Sequence, residues 1–114
     1  MSDTTIYHNP HCSKSRETLA LLRDAGVEPM VVEYLKEPLS PGRLQELANL
    51  LGVRPRALVR TKEALLESLR LDLDDDAAVL AALASHPVLL ERPIVVRDGR
   101  AAMGRPPENV RALL

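Results

Sequence analysis

Three features of this 114-residue chain predict an α/β fold built on one four-stranded mixed sheet. A strand, a helix and a second strand open it, the pattern of a parallel βαβ unit. Near the end, Asp98-Gly99 separates two short strand-like runs, the signal for a tight hairpin. Between them, residues of about 40–86 carry helical periodicity, which reads as a helical insert.

The elements follow in order. Thr4, Ile6 and His8 alternate with Thr5 and Tyr7, a first strand that Asn9-Pro10 ends. A helix is expected over 13–25, stopped by Gly26 at C′. Met30-Val31-Val32-Glu33-Tyr34 is β-branched enough for a second strand, parallel to the first through a right-handed crossover. Ser40-Pro41 combines an N-cap with proline at N1; Leu44, Leu47, Ala48 and Leu51 keep one apolar face until Gly52. A short turn over 56–59 and helices over 62–69 and 76–85 complete the insert. Ile94 to Arg97 and Arg100 to Met103 form the hairpin, with a type I′ turn expected at Asp98-Gly99. A helix over 108–114 closes the chain. The order β-α-β, insert, β-β-α defines a thioredoxin/glutaredoxin-like sheet.

Composition narrows the function. The length suits one domain over 1–114, and aliphatic side chains must fill its core, because Phe and Trp are absent and only Tyr7 and Tyr34 are aromatic. Single-strand nucleic-acid binders need aromatic platforms and a basic footprint. A net charge of -1 provides no such footprint, so nucleic acid is not expected as a partner. No run approaches a membrane span of about 20 apolar residues, and Met1-Ser2-Asp3 opens no leader pattern; the expectation is a cytoplasmic protein. The acidic run Asp72, Asp74, Asp75 and Asp76 lacks the glycine and closing glutamate of a calcium loop and reads as a helix N-terminus.

Cys12 is the chain's only cysteine, and it stands where the first strand gives way to the first helix, flanked by His11, Ser13 and Lys14. One cysteine makes no internal disulfide, and a polar loop is a poor place for a structural thiol. A thiol two units more acidic than usual requires about 2.7 kcal/mol in favour of the thiolate. A helix N-terminus supplies ~0.3–1 kcal/mol, and about 2 when partly buried. Further cations are therefore expected: the chain offers His8, His11, Lys14 and three arginines at the ends of later elements, Arg60, Arg92 and Arg105. A thiolate among arginines makes sense for an anionic substrate, because guanidinium forks bind an oxyanion and remove its repulsion from the sulfur. His8, His11 and Cys12 fall short of the four ligands of a structural zinc site, so no metal is expected.

Tyr7-His8-Asn9-Pro10-x-Cys12-x-x-Ser15-Arg16, Arg56-Ala57-Leu58-x-Arg60, Glu91-Arg92-Pro93-Ile94-Val95-Val96 and Gly104-Arg105-Pro106 together resemble the glutathione- and glutaredoxin-coupled arsenate reductases of the ArsC type. The resemblance runs over essentially the whole chain. It implies that Cys12 attacks arsenate, that Arg60, Arg92 and Arg105 bind the oxyanion, and that His8 helps to favour the thiolate. Asn9, Ser15 and Pro93 belong to the same motifs and are implied to support the site; thioredoxin-like folds place a cis-proline at the position of Pro93, across from the active-site helix, an arrangement that would project Arg92 to the thiol but that the sequence alone leaves open. It also implies glutathione as co-substrate, glutaredoxin as protein partner and no bound cofactor. A lone cysteine fits, because the reducing thiols then come from outside.

Two departures point to a short chromosomal subgroup. The chain ends at Leu114, where the resistance enzymes carry a longer tail, and Ser13-Lys14 replaces a small Gly-Thr type pair. Two other functions suit the same fold. Spx-like transcription regulators bind RNA polymerase without catalysis, but their Cys-x-x-Cys switch is closed to a chain with Ser15 in the second position. A glutathione-dependent thiol transferase would also need only Cys12.

Overall fold

The computed structural model describes residues 4–114; the leader-free reading of the first three positions lies outside them. The chain forms two compact units, one made of the N-terminal segment to Glu37 together with Arg92–Leu114, the other of Pro38–Glu91. The second unit corresponds to the helical insert, with wider bounds than its periodicity marks.

The first unit carries the sheet. Strands β1 (Thr4–His8), β2 (Met30–Glu33), β3 (Ile94–Arg97) and β4 (Arg100–Met103) lie in the order β2-β1-β3-β4. β1 is parallel to β2 and antiparallel to β3, and β3 and β4 form the hairpin. Asp98 and Gly99 both have positive φ, 50° and 76°, as a type I′ turn requires. Tyr34, expected to finish β2, lies just beyond it and is buried.

Helix α1 (Ser13–Asp24) begins directly after Cys12 and ends at Ala25, with Gly26 at φ 83°. The register sets Val31, Ile6, Val95 and Ala102 side by side across the sheet. Ile6 and Val95 join Leu22 of α1, Val27, Val110 and Leu113 in one core. The closing segment, Pro107–Leu113, is a 3₁₀ helix where an α-helix was expected. Its buried residues, Pro107, Val110 and Leu113, are spaced by three. Three residues per turn lines them up on a single edge, which 3.6 would spread apart.

In the insert, α2 (Pro41–Leu51) is capped by the Ser40 hydroxyl, which accepts the Arg43 N–H, and ends at Gly52 in the left-handed region. A 3₁₀ turn (Pro55–Leu58), α3 (Ala64–Leu69), α4 (Asp76–Ser85) and a second 3₁₀ turn (Pro87–Leu89) follow. Leu44, Leu47, Leu58, Val79, Leu83 and Leu89 are buried. The acidic run does act as a helix start: Asp75 caps α4 by accepting the Ala78 N–H, while Asp74 and Asp76 pair with Arg54 and Arg56. Among the described residues no helix is long and apolar enough to cross a membrane.

Candidate active site

The loop between β1 and α1 is built around Asn9. Its carbonyl accepts the Cys12 N–H at 3.0 Å, and its side-chain Oδ1 accepts the His11 N–H at 3.0 Å. Its own N–H donates to Ser15 Oγ at 3.0 Å. The Arg16 guanidinium closes the loop from outside by donating to the Pro10 carbonyl at 2.9 Å. Residues 9–12 are thereby fixed, and Cys12 becomes the N-cap of α1 with extended backbone angles. Its carbonyl already accepts the Arg16 N–H, the first bond of the helix.

At that position Cys12 is half-buried and free. Burial pushes the thiol up, but the backbone N–H of Ser15, the charge of Arg92, the N–H of Lys14 and a hydrogen bond from Arg92 outweigh it, and the net effect lowers the thiol's pKa. The neutral side chain forms no cap hydrogen bond of ordinary geometry. The amides therefore act mainly on the charge that the sulfur takes up on ionisation. Of the cations that the sequence offers near the thiol, Arg92 is the one whose charge stabilises the thiolate. Lys14 contributes its amide, while its exposed ammonium lies 3.5 Å from Glu17. His11 is exposed.

Arg92 is buried, with 7 % of its surface accessible, and its Nε has no hydrogen-bond partner among the described residues. A guanidinium N–H buried without an acceptor is costly, and it is the donor that an oxyanion would satisfy. The Arg92-Pro93 peptide is cis, and so is Arg105-Pro106, a motif whose cis bond was not anticipated from the sequence. The Pro93 carbonyl accepts the Gly104 N–H at 2.9 Å, placing the start of Gly104-Arg105-Pro106 against Pro93. The Arg105 carbonyl accepts from the Asn109 side chain, and its own side chain is half-buried.

His8, at the end of β1, is buried, and its Nδ1 lies 2.6 Å from Ser15 Oγ. Burial is the largest influence on this imidazole and lowers its pKa; Glu33 raises it, and Arg23 and Arg16 lower it further. Arg60 belongs to the other unit. There its N–H donates to the Leu89 carbonyl at 2.7 Å, and its guanidinium pairs with Glu63 at 2.9 Å.

Thr18 was not legible as a site residue. Fully buried on α1, it donates its hydroxyl to the Lys14 carbonyl at 2.8 Å, a local bond that leaves no mark in the sequence. It packs against Gly104, where an added Cβ would meet Thr18 Oγ1 at 2.5 Å and Pro93 Cγ at 2.8 Å. Gly104 is thus required by close approach, since its φ is not positive. Gly104→Ala is expected to cost about 1–3 kcal/mol and to lower Tm by roughly 5–15 °C in a thermal melt. An unchanged melt would show that Thr18 and Pro93 yield freely.

A cysteine at a helix N-terminus, beside a buried arginine with an open donor, on a mixed four-stranded sheet, defines a thioredoxin-like protein. The chain belongs to the ArsC family, whose sequence profile matches residues 7–113. It is 48% identical over 112 residues to the arsenate reductase of Haemophilus influenzae, covering 96% of this chain and 97% of that protein. It is 50% identical over 109 residues to the uncharacterized Escherichia coli protein YfgD, covering 92% and 91%. The solved arsenate reductase from Vibrio cholerae superposes with a TM-score of 0.90 at 49% identity, covering 97% of both chains.

Proposed function

We propose that this protein reduces arsenate to arsenite through a covalent Cys12 adduct. The observation that carries the reading is the Cys12 sulfur itself, lowered in pKa by the Ser15 and Lys14 amides and by a buried Arg92 with an open Nε donor. The Cys12 thiolate attacks the arsenic of arsenate and displaces an oxygen, which leaves as water after protonation. Arg92, with Arg60 and Arg105 as the family resemblance implies, holds the remaining oxygens and spreads their charge. His8, Asn9, Ser15 and Pro93 keep the loop and the sulfur in place.

Glutathione is the co-substrate. Its thiol displaces a second oxygen as water and leaves arsenic bound to two sulfurs. A glutaredoxin thiol then attacks the glutathione sulfur, forming a mixed disulfide. The electron pair of the broken sulfur–arsenic bond stays on arsenic, which becomes arsenic(III), and hydrolysis from Cys12 releases arsenite. The two thiols supply the two electrons, so the chain itself needs one cysteine and no bound cofactor.

The test is NADPH consumption with arsenate, glutathione, glutathione reductase and an independently active glutaredoxin. Oxidation of NADPH that requires both arsenate and this protein is the expected result. Its absence would overturn the arsenate reading, and the same coupled assay run on a glutathione mixed disulfide would then identify a thiol transferase.

A further inference from the structure

The hydroxyl hydrogen of Ser15 has one place to go. Ser15 is fully buried on the first turn of α1, and two groups reach its Oγ: the Asn9 N–H at 3.0 Å and His8 Nδ1 at 2.6 Å. A backbone N–H only donates, so it occupies one lone pair of Oγ. The hydroxyl has a single hydrogen, and among the described residues the sole acceptor within reach of it is Nδ1. Were Nδ1 protonated, it would donate to Oγ, and the buried hydroxyl hydrogen would be left with no acceptor. Such an unmet donor disfavours that arrangement by about tenfold or more.

We infer that Ser15 is a positioning residue that holds His8 as a neutral imidazole, with Nδ1 accepting from the hydroxyl and the ring proton on Nε2. The inference deepens the proposed thiolate chemistry and rests on it for its meaning. His8 then contributes a neutral N–H donor from the end of β1, and the positive charge at the sulfur comes from Arg92. Three charged groups act on the ring, Glu33, the register partner of His8 on β2, and Arg16 and Arg23 of α1. Two cations and burial act against protonation, and one carboxylate acts for it. The same hydroxyl joins Asn9 to α1, so one side chain fixes both the loop that carries Cys12 and the state of the ring.

Nitrogen NMR of uniformly ¹⁵N-labelled protein tests this directly. At pH 7.5 the long-range proton–nitrogen correlations of the His8 ring, assigned by their loss in His8→Asn, should show an unprotonated Nδ1 and a protonated Nε2. The ring should titrate with a midpoint below 6.5. An imidazolium at pH 7.5, or a proton on Nδ1, would overturn the inference in the wild type alone, whatever the variants do. In Ser15→Ala, checked for folding by circular dichroism, the pattern should relax to a mixture of tautomers and the midpoint should rise. A pattern that persists unchanged in folded Ser15→Ala would remove Ser15 from the role. Should Ser15→Ala fail to fold, the wild-type spectrum still decides. None of these readouts depends on arsenate turnover, so a protein with the expected spectrum and no reductase activity would fail the proposed function while upholding the inference.

Discussion

Cys12→Ser is expected to abolish arsenate-dependent turnover, by three orders of magnitude or more, about the scale seen when a nucleophile is removed. The reason lies in the site's design. The amides of Ser15 and Lys14 and the Arg92 charge lower the pKa of a thiol, whereas a serine hydroxyl begins far above any thiol. The fold should not suffer. Serine is a better N-cap than cysteine, and at this position it can gain about 0.5–1 kcal/mol by accepting from the first helical turn. Wild type should recover ground at alkaline pH: a thiol more acidic when folded adds stability above its unfolded pKa and loses it as pH falls through the lowered folded value. The variant should therefore melt no lower than wild type near neutrality while turning over no arsenate. Residual turnover above roughly a hundredth of wild type would remove Cys12 from the chemistry.

The chain's local rules were legible wherever a residue's backbone preference decides the geometry. Asp98-Gly99 specified its hairpin because both residues tolerate positive φ, and Ser40-Pro41 with Gly52 bracketed α2 because cap and stop are local chemistry. The closing segment was misread as α-helix because apolar spacing over seven residues barely separates a period of three from 3.6; packing of Val110 and Leu113 decided it. Cys12 was legible from its junction. The bond between His8 and Ser15 was not, since a spacing of seven residues across a strand, loop and helix has no sequence signature. Nor was the close approach of Gly104 to Thr18, a contact between residues 86 positions apart. Motifs pointed to Arg92, but its burial and its open Nε emerge only from the folded chain.

Arg92→Lys carries the second largest expected effect, a loss of about a hundredfold in kcat/KM for arsenate. Charge is conserved, so a purely Coulombic role would leave the enzyme nearly intact. The structure argues otherwise on two counts. Arg92 both hydrogen-bonds to Cys12 and acts on it as a charge, and its Nε remains as an additional buried donor. A planar fork can address the sulfur and an oxyanion with different N–H groups at once, whereas an ammonium is a single point that must choose between them. Lysine would also have to bring a compact, strongly hydrated charge to a buried position where arginine is 7 % exposed. The thiol should therefore become less acidic: the pH profile of Cys12 alkylation by iodoacetamide shifts upward in the lysine variant, and further in Arg92→Met, which removes the charge as well. Measured together, the two profiles separate charge from geometry. Coincident alkylation profiles for wild type and Arg92→Lys, with undiminished arsenate turnover, would show that the fork is dispensable and that any cation at this position suffices.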